Sequence, residues 1–168
     1  MQCPIAASVV FTLAACCAFA VEPAPSVTKV RNTAVGYALT LDQVTRTYAG
    51  KCGAVDRDSA RLARAAWSAR NGELVRSADK YLDFVKRLLT QTQGEEAARR
   101  FYEEQKSAFA VRAQLTVFDS LLSGNGEREV CVKVLDAIAS GRMDVDSTPG
   151  HFKTLKEIGA EMATGRAR

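Results

Sequence analysis

Histidine occurs once in these 168 residues, at His151, and that scarcity removes most of the chemistry that helical proteins host. Di-iron bundles need a Glu-x-x-His from each of two helices. A haem held by Met and His needs ligands on facing helices, whereas His151 and Met162 share one short segment. A hydrolytic triad would have this single imidazole as its only base, and no G-x-S-x-G turn is present to present a serine. Neither C-x-x-C nor C-x-x-C-H occurs, which leaves redox-active dithiol and c-type haem roles without support. Proline is absent from Ser26 to Thr148, and isoleucine appears only twice after residue 20, at Ile138 and Ile158. Strand-rich domains use more β-branched and turn residues than this. No catalytic motif, metal constellation or nucleotide-binding loop is found, so a non-enzyme without cofactor or metal is expected.

Charge is missing from the first twenty residues: Met1 to Ala20 contains no Lys, Arg, Asp or Glu, and 16 of the 20 are hydrophobic. The apolar run from Ile5 to Phe19 is short for a membrane span and is followed by Glu22, Pro23 and Pro25. These features predict a secretory signal peptide over residues 1–20. Ala18-Phe19-Ala20 is a small-x-small cleavage site, which makes the protein periplasmic or secreted. Leu13-Ala14-Ala15-Cys16 is the competing reading, a lipobox that would turn Cys16 into a lipid-anchored first residue of a membrane-bound lipoprotein. Val21 to about Arg31 is polar, carries proline and lacks periodicity, and so reads as a flexible tether. Residues 32–168 then form one domain.

The leader also sorts the five cysteines. Cys3, Cys16 and Cys17 belong to it, leaving Cys52 and Cys131 in the folded part. Two thiols in an exported domain are expected to pair.

What is abundant is alanine, 21 copies after residue 20, in patterns of helical period. A first helix is predicted from about Asn32 to Ala49, with Val35, Leu39, Leu41, Val44 and Tyr48 inward. A long second helix begins after a cap at Asp56 or Asp58. It keeps one apolar face through Leu62, Ala63, Ala66, Trp67, Leu74, Ala78, Tyr81, Leu82, Val85, Leu88 and Leu89. Asn71-Gly72 would ordinarily end a helix, but the phase is kept across it, which favours one helix of about 33 residues with a kink there. Thr92-Gln93-Gly94-Glu95 has capping-box form and starts a third helix. Ala98, Phe101, Phe109, Val111, Leu115, Phe118 and Leu122 are its expected core positions. Ser123-Gly124-Asn125-Gly126 ends it. A fourth helix, Glu127 to Ser140, carries Val130, Cys131, Val134, Leu135 and Ile138 inward, and Gly141 stops it. The last opens at Ser147 or Thr148 with Pro149 in the first turn and Phe152, Leu155, Ile158 and Met162 on one face. The fold class is therefore all-α: an antiparallel bundle of four main helices plus a short C-terminal one, with one disulfide.

Trp67, Arg70 and Asn71 form the densest group of residues favoured at recognition surfaces, and are the candidate partner-binding site. The competing expectation is that the only tryptophan of the domain fills the core. Arg57, Arg61 and Arg64 fall on one helical face and read as a solvated stripe; no nucleic-acid partner is expected of an exported protein. Asp144-x-Asp146-x-Thr148 suggests a calcium loop, but the sixth and twelfth positions are Pro149 and Leu155, where an EF-hand requires Gly and Glu. Asp144 and Asp146 then read as turn-formers and helix N-terminal charges.

Leu39-Thr40-Leu41-Asp42-Gln43 and Leu89-Thr90-Gln91-Thr92-Gln93 both match L-T-x-x-Q. The pair resembles the motif of the Spy and CpxP group of periplasmic helical proteins. That resemblance implies a client-cradling chaperone or envelope-stress regulator, although the second copy lies where a helix ends. The physical alternative for T-x-x-Q is a capping box. By elimination, the leading expectation is a non-enzymatic protein-binding or inhibitor-like module whose partner is another envelope protein. Denaturing, non-reducing thiol labelling of the mature protein is expected to find neither Cys52 nor Cys131 free, and two labelled thiols would contradict both the pairing and the export argument.

Overall fold

The computed structural model describes residues 26–123 and 126–164, so the leader, the cleavage and lipobox alternatives, the first part of the tether and the last four residues lie outside it. Five helices occur in chain order: α1 (Lys29–Cys52), α2 (Arg57–Gln93), α3 (Glu95–Ser123), α4 (Glu127–Ala139) and α5 (Pro149–Ala163). They pack against one another, and no strand occurs among the described residues.

The first helix starts earlier than the sequence pattern predicts. Thr28 is extended and its hydroxyl accepts from the Arg31 amide, which sets the start at Lys29 and takes Lys29 to Arg31 out of the expected tether. Arg31 is held further by a two-pronged ion pair to Glu161 of α5, at 2.7 and 2.5 Å. A polar stretch with no local period is thus ordered by a partner 130 residues away, which hydrophobic spacing does not register.

At the start of α2, Asp56 is the cap. Its carboxylate accepts from the Ser59 amide at 3.0 Å and the Ser59 hydroxyl at 2.8 Å. α2 then continues unbroken for 37 residues through Asn71-Gly72. The chain turns only at Gly94, whose φ of +91° is a conformation that glycine adopts without strain. The expected capping box at Thr92 is not formed. Thr92 is still inside α2, and its hydroxyl donates back to the Leu88 carbonyl. Of the two T-x-x-Q copies, Thr40 lies in the middle of α1 with its hydroxyl buried and unbonded, and Thr90 lies inside α2 with its hydroxyl donating to the Lys86 carbonyl, so neither caps a helix.

The core forms where α1 and α2 pair and α3, α4 and α5 close around them. Trp67, Tyr81, Ile138, Leu155 and Ile158 are its largest fully buried side chains. Cys52 and Cys131 are bonded, tying the end of α1 to the middle of α4 across 79 residues. In the chain-entropy account a closure of that length is worth about 4–5 kcal/mol, comparable to the net stability of a whole domain. Leu62 and Leu88, expected inward, are exposed.

The Asp56 cap generates a pH prediction. Hydrogen bonds from the Ser59 amide and hydroxyl hold its carboxyl below the ordinary carboxylate range. A depressed native pKa gives stability that is complete above the unfolded value of about 3.9 and is lost as pH falls through the native value. Asp56→Asn keeps a good cap that does not titrate. Wild type is therefore expected to lose stability relative to Asp56→Asn as melts are taken from neutral pH to below about pH 4; parallel curves would refute it.

Candidate functional site

Trp67, Arg70 and Asn71 are brought together, but Trp67 and Asn71 are enclosed and only Arg70 keeps an exposed side chain. Trp67 has no exposed surface, and its indole N–H donates to the Met143 carbonyl at 2.8 Å. Asn71 is 2% exposed. Its amide nitrogen donates to Asp144 Oδ1 at 2.8 Å and to the Trp67 carbonyl at 3.0 Å, while its oxygen accepts from the Val145 amide at 2.9 Å. Arg70 completes the arrangement. Its guanidinium binds both oxygens of Asp144, at 2.5 and 3.1 Å, and also donates to the Ile138 and Ala139 carbonyls at the end of α4. The hydrogen bond to Asp144 raises the Arg70 pKa above its ordinary value. The α4 exit thus receives a cation at its negative end. The three residues form a brace between the middle of α2 and the α4–α5 connection, and a side chain as enclosed as Trp67 or Asn71 offers a partner nothing to touch.

Asp144 stands in the turn expected of it, but its main role was missed in the sequence: it is a buried carboxylate that accepts from Arg70 and Asn71. Gly141 is shaped by the same cluster: φ is +87°, and a Cβ there would lie 3.1 Å from Asp144 Oδ2. Asp42 of α1 is a second buried carboxylate. It accepts from Arg64 at 2.5 Å and from Arg46 at 2.8 Å. Arg64 also donates to the Thr45 hydroxyl and lies 4.8 Å over the Trp67 ring. It therefore leaves the solvated stripe expected for Arg57, Arg61 and Arg64. Only the presence of an Asp on the apolar side of α1 could have signalled this in the sequence.

The other polar candidates stay local. His151 lies in the first turn of α5, partly buried, with its ring 4.9 Å from that of Tyr37. Glu95, Glu96, Glu103 and Glu104 are exposed on α3. No grouping of three or more His, Cys, Asp or Glu with metal-binding geometry occurs among the described residues.

The distinctive surface belongs to α3. Val111, Leu115, Phe118 and Leu122, all expected in the core, are 50%, 58%, 59% and 69% exposed. The buried positions of α3 are instead Ala98, Phe109, Ala113 and Val117. At about 100° per residue these two sets lie on nearly opposite sides of the helix. Both have helical spacing, so periodicity alone could not choose between them. The small Ala98 and Ala113, with no exposed surface, mark the side on which the helix approaches the bundle. The outer stripe itself lines a groove of about 740 Å³, which Thr47 and Lys51 of α1 and Glu127 of α4 also border. A smaller cleft of about 390 Å³ carries the exposed Leu62 and Val132 between α2 and α4.

No protein-family model, no curated protein and no solved structure matches this chain. The L-T-x-x-Q resemblance accordingly rests on its ten residues alone.

Trp67→Ala is expected to cost about 3–5 kcal/mol, read by denaturant unfolding. In wild type the indole emission should be blue and resistant to iodide. A red, quenchable tryptophan with an unchanged melting temperature in the variant would mean that Trp67 faces solvent.

Proposed function

We propose that this chain is a non-enzymatic protein-binding module of the cell envelope, acting through the outer face of α3. The observation that carries the reading is the four-residue apolar stripe Val111, Leu115, Phe118 and Leu122, exposed along about three turns beyond what scattered surface hydrophobics explain. An amphipathic face with this spacing suits a helix laid alongside it. The charge-free N-terminal segment and the Cys52–Cys131 bridge support an exported, oxidising location, periplasmic or secreted. No helix among the described residues is long and apolar enough to cross a membrane. A lipid anchor at Cys16 is the alternative means of retention.

The second reading is the client-cradling chaperone implied by the L-T-x-x-Q resemblance. The apolar groove along α3 favours it to the extent that non-native chains bind concave apolar surface. The two readings differ in their stoichiometry and in the state of the partner. A module takes one folded partner, whereas a chaperone suppresses aggregation of many unfolded ones.

Leu115→Asp/Phe118→Asp changes only exposed side chains, so the fold should survive with its melting temperature nearly unchanged. With the full mature chain as bait in envelope extract, wild type is expected to retain a discrete partner that the double variant loses. Identical captures by the two baits would remove α3 from the binding surface. Suppression of client aggregation by wild type, lost in the variant, would favour the chaperone.

A further inference from the structure

The spacing of the outer stripe has a symmetry of its own. Val111, Leu115, Phe118 and Leu122 are separated by four, three and four residues, a sequence of steps that reads the same in both directions. A two-fold axis across the helix between Leu115 and Phe118 therefore maps the stripe onto itself. In an antiparallel pair of such helices Leu115 meets Phe118 of the other copy, and Val111 meets Leu122, so that each layer joins a smaller residue to a larger one. These are the alternating positions of a coiled-coil seam.

The charges flanking the seam obey the same axis. Arg112 and Asp119 follow Val111 and Phe118 on one edge of the stripe; both are exposed, and neither makes an ion pair among the described residues. Under the two-fold operation Arg112 of each copy falls opposite Asp119 of the other, displaced by only about 3 Å along the axis at a rise of 1.5 Å per residue. That displacement is within reach of an arginine side chain. A parallel pairing would instead set the two flanks on opposite sides of the seam, with Arg112 beside Ser107 and Asp119 beside Gln114 of the other copy, and neither charge would gain an ionic partner. An isologous interface requires this self-complementarity, since one patch must serve as both surfaces.

We infer that the outer face of α3 binds a second copy of this chain, as an antiparallel, two-fold symmetric helix pair through Val111, Leu115, Phe118 and Leu122 with reciprocal Arg112–Asp119 ion pairs. The inference rests on the reading of this face as a recognition surface and names its occupant. One stripe of four side chains is smaller than the roughly 800 Å² per partner of a standard stable interface, so the dimer is weak and forms at the micromolar concentrations of a crowded compartment.

Sedimentation equilibrium of the full mature chain, from about 1 µM to about 1 mM, should show a reversible monomer–dimer equilibrium. Leu115→Asp should leave only monomer, with the melting temperature of the dilute wild type. Arg112→Glu turns both reciprocal attractions into repulsions and should weaken association about tenfold, as should Asp119→Arg. The double variant Arg112→Glu/Asp119→Arg restores both pairs with their signs exchanged and should recover wild-type association. A monomer throughout the range overturns the inference, as does a dimer indifferent to Leu115→Asp. A dimer that the charge exchange fails to restore overturns the antiparallel arrangement. If the chain stays monomeric while the stripe still governs capture of another protein, the recognition surface stands and only its occupant changes. If it dimerises and no stripe-dependent foreign partner is found, self-association stands and the binding-module reading falls.

Discussion

Two buried carboxylates, each answered by an arginine of α2, set the arrangement of this bundle. Asp42 fixes α1 against Arg64, and Asp144 fixes the α4–α5 connection against Arg70, with Trp67 lying between the two arginines on the same side of α2. A buried ion pair adds little net stability over apolar residues of similar size, because desolvation offsets the attraction. Stranding one partner is expensive, however. A slipped register that separated Asp144 from Arg70 and Asn71 would leave a carboxylate in the core with no donor. Helices rich in alanine slide past one another at small cost in apolar contact, and these two pairs penalise such slips. α2 is long enough to serve as the common spine, since α1, α3, α4 and α5 all pack against it.

Asn71 explains how the spine stays whole. Asn-Gly is unfavourable in the interior of a helix, chiefly because the Asn side chain competes for backbone groups and glycine costs entropy. Here the Asn71 side chain is held by two tertiary partners, Asp144 and the Val145 amide, and its one local bond goes to the Trp67 carbonyl a turn back. The tertiary partners hold it in a rotamer compatible with the helix, and the helix runs through.

Those facts also mark what the residues announce about this fold and what they withhold. The helical class, the unbroken α2, the Pro149 start of α5, the pairing of Cys52 with Cys131 and the expectation of a core role for Trp67 follow from spacing, compartment and size, which are local or compositional properties. Arg31 with Glu161, Arg64 with Asp42 and Arg70 with Asp144 join residues from 22 to 130 positions apart, and nothing in a one-dimensional pattern couples them. The capping boxes failed for a related reason. T-x-x-E and T-x-x-Q satisfy a rule for helix starts, but helix starts here were decided by Asp56 and by the turn at Gly94. The outer face of α3 was hidden by its own regularity: a helix with apolar stripes on opposite sides offers two equally periodic answers, and only the shape of its neighbours selects one.

The disulfide lies next to that face. Lys51, which borders the groove, directly precedes Cys52, and Glu127, which also borders it, lies one helical turn before Cys131. The bridge therefore joins the two elements, the α1 end and α4, that flank the outer stripe. α3 itself is held on its inner side by Ala98, Phe109, Ala113 and Val117, with the partly buried Phe101, Tyr102 and Leu121 packed beside them. Its position depends also on the walls beside it, which the disulfide ties directly to each other. Reduction would remove the covalent tie between α1 and α4 next to that groove, whereas the Asp42 and Asp144 braces involve no sulfur. The redox state of Cys52 and Cys131 is thus coupled most directly to the surface on which recognition is proposed, and the core around Trp67 is held by interactions that do not need the bridge.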